Sequence, residues 1–187
     1  QDHCLAVVMP SGENSSYVDM AHGEEYLTYI TKELPAFLTT LFPLSTKRED
    51  TFIAGLSMGG GGTLRAMSVG SDLFAAAVPV CPTMTPETFH ILCGLTHAKI
   101  WVAASYIDHT LYRHKYLVDA VLALRDAGNQ DAHLTLFSPE DLAKYGIGII
   151  PDMPLEARFG WNHTCWIPTY HDEFGIMSWM MSQVRDE

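Results

Sequence analysis

Thr51-Phe52-Ile53-Ala54-Gly55-Leu56-Ser57-Met58-Gly59-Gly60 runs from a short β-rich stretch straight into a Gly-x-Ser-x-Gly pattern. Residues 58–69 after it read as a helix with Leu64, Ala66 and Met67 as its apolar positions. A serine set between a strand and a helix in this way has the context of a nucleophile elbow. The small residues have a physical reason: the serine backbone takes a strained conformation, and side chains at Gly55 and Gly59 are expected to clash where strand and helix approach. Ser57 then stands at the N-terminus of the helix, whose unpaired amides favour developing negative charge. The Met58 N–H becomes an oxyanion-hole donor by position. Other readings of the glycines fail. A phosphate-binding loop needs Lys followed by Ser or Thr, whereas Gly59 to Gly62 lead into Thr63-Leu64-Arg65, and the dinucleotide pattern G-x-G-x-x-G is met in no register.

Working outward, strands and helices alternate. The uninterrupted apolar run Leu5-Ala6-Val7-Val8-Met9 predicts a strand buried on both faces of a parallel sheet, stopped by Pro10 and a turn-rich stretch. Tyr26, Ile30, Leu34, Phe37, Leu38 and Leu41 predict an amphipathic helix over 24–42 that Pro35 kinks or interrupts. Strands are predicted at 75–80, 99–104 and 134–137. Thr85-Pro86 opens a short helix as N-cap and first helical position, and Leu117, Val118, Val121, Leu122 and Leu124 mark a helix that Gly128 ends. A last helix is expected over 172–184, with Ile176, Trp179, Met180 and Val184 on its apolar face. The expected fold is therefore α/β, a mostly parallel sheet flanked by helices in one domain over 1–187.

The 187 residues are 48% hydrophobic and carry 11 Lys+Arg against 22 Asp+Glu, a net charge of −11. A nucleic-acid partner is excluded, because no basic cluster exists to meet phosphates. No apolar run reaches the roughly 18 residues of a membrane span. Four cysteines (Cys4, Cys81, Cys93, Cys165) are scattered without C-x-x-C spacing, and the sequence leaves open a Cys81–Cys93 disulfide. Scattered thiols and the absence of a leader pattern favour a cytoplasmic protein, with secretion open because the N-terminus reads as incomplete. No histidine spacing calls for a metal, and no cofactor is implied.

A serine nucleophile needs a base and a group that orients the base. In this architecture they follow in the order Ser, acid, His. Asp108 is the carboxylate close behind the 99–104 strand, and His163 lies in Gly160-Trp161-Asn162-His163-Thr164-Cys165-Trp166 ahead of the last helix. His171 is the rival base, since it too follows the acid. An ordinary imidazole in this role sets a pH midpoint for kcat/KM of about 6 to 7. Trp161 and Trp166 are candidates to line a substrate pocket or to fill core.

Leu5-Ala6-Val7-Val8-Met9-Pro10, Glu33-Leu34-Pro35 and Thr51–Gly60 resemble the putative esterase family, which includes tributyrin esterases, S-formylglutathione hydrolases and feruloyl or acetyl-xylan esterases. Residues 72–81 and 163–170 resemble the related polyhydroxybutyrate-depolymerase-like and phospholipase/carboxylesterase members. The resemblance implies an α/β-hydrolase fold, a Ser57–His163–Asp108 triad and hydrolysis of a small-molecule ester, with small acyl or carbohydrate-linked esters as the substrate class. The chain departs from that pattern in its acid loop, Ser105-Tyr106-Ile107-Asp108-His109-Thr110-Leu111, and in residues 138–158, which read as an insertion, a lid or a pocket wall. It also begins on what is a mid-sheet strand in the family. The earlier strands and the second oxyanion donor have no counterpart, which leaves truncation or processing, or a second chain or second copy that completes the sheet. Two classes of function follow: a serine carboxylesterase working through an acyl-enzyme, or a non-catalytic α/β-hydrolase-like binding or scaffold protein. A thioesterase or peptidase with the same triad is a narrower variant.

Overall fold

The computed structural model describes residues 5–106, 108, 113–147 and 162–183. Four parallel strands form one sheet in the order β1-β2-β3-β4, with β1 at Phe52–Leu56, β2 at Ala76–Val80, β3 at Ile100–Ser105 and β4 at Ala132–Phe137. Each crossover contains a helix, as parallel strands require: α2 (Met58–Val69) joins β1 to β2, α3 (Pro86–Gly94) joins β2 to β3, and α4 (Arg113–Asp126) joins β3 to β4. α1 (Leu34–Leu41) precedes the sheet, and α5 (Pro139–Ala143), α6 (Trp166–Tyr170) and α7 (Ile176–Ser182) follow it.

Alternation along the strands sorts the core into two layers. Ala77, Ile100, Val102 and Ala104 face Leu64, Met67, Leu92, Leu117 and Leu124 from α2, α3 and α4. Ala76, Val78, Val80 and Ala103 face Leu142, Ile147, Ile176 and Met180 on the other side. Helices thus cover both faces, as the alternating sequence predicts. Local signals act as expected at several ends: Thr85 and Thr88 form a reciprocal capping box ahead of α3, and Gly128 follows α4 with φ +94°.

The structure bears on three further expectations. Residues 5–9 form no strand, and Leu5, Val7, Val8 and Met9 are exposed. A strand exists only where a neighbour accepts its hydrogen bonds, and no described residue pairs with this run. The helix expected over 24–42 is interrupted just ahead of Pro35, which stands in the first turn of α1. The five residues Tyr29–Glu33 ahead of it form a π-turn in which the Leu34 N–H reaches back to the Tyr29 carbonyl, and this wider turn carries the chain into α1. The last helix starts at Ile176 rather than 172. Asp172 (φ 57°) and Gly175 (φ 71°) take left-handed backbone between α6 and α7, and the Asp172 carboxylate accepts from the Met177 and Ser178 N–H groups. Val184 lies outside the described residues.

In the described part of 138–158, residues 138–147, two side chains enter the core while Pro139, Glu140, Ala143, Lys144 and Gly146 are exposed. Ser138 and Asp141 form a capping box ahead of α5, while Leu142 and Ile147 are sealed under the sheet. Residues 148–158 lie outside the described residues. Among the described residues no helix is long and apolar enough to cross a membrane.

Candidate active site

The site lies at the carboxyl end of the sheet, where parallel α/β folds expose their loops. Ser57 follows β1 directly and adopts φ 54°, ψ −114° before α2 begins. Three backbone hydrogen bonds bolt it there: its N–H donates to Val80 O at 2.9 Å, and its carbonyl accepts from Gly61 N–H at 3.1 Å and Thr83 N–H at 2.9 Å. A Cβ at Gly55 would sit 2.3 Å from the Gly59 carbonyl oxygen, so only glycine fits there. The expected clash at Gly59 does not occur; a Cβ there meets only Tyr17 at 3.5 Å, an ordinary contact. The tighter position is Gly62, whose absent side chain leaves room for the Tyr17 ring, 2.5 Å from where a Cβ would stand. The Met58 N–H opens α2 and is among the amides that a helix leaves without an intrahelical partner.

His163 Nε2 lies 2.8 Å from Ser57 Oγ across 106 residues of sequence, and His163 Nδ1 lies 2.7 Å from Asp108 Oδ2. Asp108, three residues past β3, is 1% exposed. Trp166 sets its indole edge-on to the His163 ring, with centroids 5.7 Å apart. Trp161 lies outside the described residues. His171 instead packs against Tyr145.

Three further side chains complete the surroundings. Arg113, 7% exposed at the start of α4, pairs with Asp108 and also reaches His163 Nδ1. Cys81, fully buried just past β2, lies in the same core layer as Cys165, which is also fully buried. Neither cysteine is in a disulfide, and the open Cys81–Cys93 pairing is not formed: Cys93 packs into the layer on the other face of the sheet. Burial pulls the His163 imidazole down. Its hydrogen bonds to Asp108 and Cys81 and the negative charge on Cys81 outweigh that loss, Arg113 opposes them, and the net result is a pKa pushed up to about 9. Burial raises the Cys81 thiol, but Cys165, His163 and the Ser57 N–H pull it down to about 6.

The family model described as "Putative esterase" matches residues 2–140, about three quarters of the chain. The chain belongs to the Putative esterase family. A stretch of 62 residues, 33% of the chain, is 52% identical to an acetyl esterase of Caldicellulosiruptor saccharolyticus and covers 23% of that relative. Among solved structures, a thermostable esterase superposes with a TM-score of 0.63 at 26% identity over 87% of this chain and 38% of its own. A substrate-bound, fluorophosphonate-binding serine hydrolase of Staphylococcus aureus superposes with a TM-score of 0.61 at 22% identity, over 95% of this chain and 71% of its own. These neighbours have the α/β-hydrolase fold. The chain spans less than two fifths of the length of the acetyl esterase and of the thermostable esterase.

Within this family member, Arg113, Cys81 and Cys165 are the site neighbours that sequence reasoning missed. Cys165 sits two residues after His163 and Arg113 five after Asp108, so proximity in sequence was a usable signal for both. Cys81 carried none, since only the sheet brings the end of β2 under the imidazole.

Proposed function

We propose that this protein is a serine ester hydrolase acting on small acyl or carbohydrate-linked esters. The observation that carries the reading is the continuous hydrogen-bonded line from Ser57 Oγ through the His163 ring to Asp108, at 2.8 and 2.7 Å. Ser57 Oγ attacks the ester carbonyl as His163 Nε2 takes its proton. The negative oxygen of the tetrahedral intermediate meets the Met58 N–H and the amide end of α2. Asp108 holds the imidazole and stabilises the imidazolium that forms. His163 then gives its proton to the departing alcohol, leaving an acyl-Ser57 that water, activated by the same imidazole, hydrolyses. A short acyl group agrees with the acetyl esterase relative, and the sparse charge around the elbow suits neutral substrates. Trp166 beside His163 is positioned to contact the bound ester.

A fluorophosphonate probe followed by peptide mapping tests the nucleophile: labelling of Ser57 is expected, and a folded sample labelled elsewhere or not at all overturns the reading. Turnover of p-nitrophenyl acetate should fall at least about 1,000-fold in Ser57→Ala. Because the base acts only when neutral, kcat/KM should rise with pH toward a midpoint of about 9 rather than the 6 to 7 of an ordinary imidazole.

A further inference from the structure

We infer that Arg113 is a positioning residue of this site: it shares one carboxylate oxygen of Asp108 with His163 and so limits how tightly the imidazole holds the proton taken from Ser57. This role rests on the reading of His163 as the base. Arg113 opens α4, five residues past Asp108, and both side chains are buried, the residues being 7% and 1% exposed. Its Nη1 donates to Asp108 Oδ2 and lies within hydrogen-bond reach of His163 Nδ1, while Nδ1 itself is 2.7 Å from the same Oδ2. Three residues thus meet at one oxygen. The fold gains little from the charge. Burying a guanidinium whose Nε has no partner among the described residues costs stability, and apolar groups in place of a buried ion pair are often neutral or stabilising. The charge is accounted for by what it touches.

Donor and acceptor chemistry decides what the junction does. A guanidinium only donates, so it takes no proton from His163. Nδ1 then either donates to Oδ2 or accepts from Nη1. Only the first leaves Nε2 bare, 2.8 Å from Ser57 Oγ, to take the hydroxyl proton. The Asp108 carboxylate attracts the guanidinium with a full opposite charge, which a neutral ring nitrogen lacks. The Nη1 proton therefore goes to the carboxylate, and Nδ1–H goes to the same oxygen. The imidazolium that forms when Ser57 loses its proton then stands against a fixed positive charge. Among the described residues, the groups facing the ring are Ser57 after β1, Cys81 after β2, Asp108 after β3, Arg113 on α4 and Trp166 on α6. Burial disfavours the protonated ring, Asp108 and Cys81 favour it, and the charge of Arg113 opposes it. Without Arg113 the whole charge of Asp108 falls on the imidazolium, which returns its proton to the departing alcohol less readily.

The test follows the His163 ring by nitrogen NMR on histidine-labelled protein, its signals assigned by their loss in His163→Gln. In the wild-type chain the neutral ring should carry its proton on Nδ1. A proton on Nε2 would mean that Arg113 donates to the ring, and overturns the inference; this readout needs no variant, so it decides even where Arg113→Met fails to fold. Arg113→Met should raise the midpoint of the His163 titration by about one pH unit or more, whereas Arg113→Lys, which keeps the charge, should stay within about half a unit of wild type. Below the midpoint each pH unit lowers the neutral fraction about tenfold, so kcat/KM of Arg113→Met toward p-nitrophenyl acetate at about pH 7.5 should fall about tenfold. A folded Arg113→Met with an unmoved or lowered midpoint, the result of a merely structural side chain, overturns the inference. In a Cys81→Ser background the shift should persist; its disappearance assigns the effect to the thiol and overturns it as well. The ring signals need no ester turnover, so an inactive wild type that shows the shift sinks the esterase reading, whereas an active one without it sinks the role of Arg113.

Discussion

β1 and β2 are five residues each and pair in register along their whole length, yet every residue of β2 is sealed and none of β1 is. The two strands do not differ much in apolar content. They differ in neighbours: β2 lies between β1 and β3 with helices on both faces, whereas β1 is an edge of the described sheet. The same contrast separates Leu64, Leu92 and Leu124, all at 0% exposure, from Val7, Met9, Phe37 and Leu41, which are more than half exposed. Hydrophobicity written into a sequence is a request for a partner, and burial follows only where one is present. The proposed nucleophile rises from the exposed strand, while the proposed acid follows a strand buried in the middle of the sheet.

Four measurements would break or sharpen that contrast. The largest effect belongs to the interior loop behind β3: Asp108→Asn should lower kcat/KM about 10,000-fold with the fold intact, by leaving the imidazole without its orienting charge. A loss of only a few fold would show that the buried side of the site contributes little. Leu124→Ala, in the sealed layer, should cost about 2–5 kcal/mol in a denaturation experiment. Thr85→Ala removes the capping box that starts α3 and should cost about 1 kcal/mol. Leu41→Ala, at 57% exposure, should stay within about 0.5 kcal/mol. A cost near that of Leu124 would mean that the exposed face is covered in solution.

Much of this was legible in the sequence, for identifiable reasons. Strand–helix alternation is a local signal, and α2 spans Met58–Val69 as read from its apolar spacing. The elbow at Ser57 was readable because glycine at 55 answers a backbone contact. Asp108 and His163 were proposed from chain order and their place behind later strands, and the structure brings Asp108 and Ser57 within hydrogen-bond distance of the His163 ring. What stayed hidden depends on which loops meet across the sheet. Cys81 and Arg113 meet His163 through tertiary packing that no periodicity encodes; Asp108 and Cys81 lift the imidazole above its ordinary range while Arg113 opposes them. The run 5–9 misled for the opposite reason: its apolar pattern was real, but pairing is a property of two segments rather than one.

The ring of Tyr17 wedged against Gly62 has a consequence for how the nucleophile is assembled. Gly59 to Gly62 put four of the weakest helix formers short of proline into the first turns of α2, a handicap of about 3–4 kcal/mol against alanine. Nothing local can nucleate such a helix. The sheet beneath and the Tyr17 ring above therefore supply the stability that this helix's own sequence lacks. A synthetic peptide of residues 57–70 should accordingly show a random-coil circular dichroism spectrum in water.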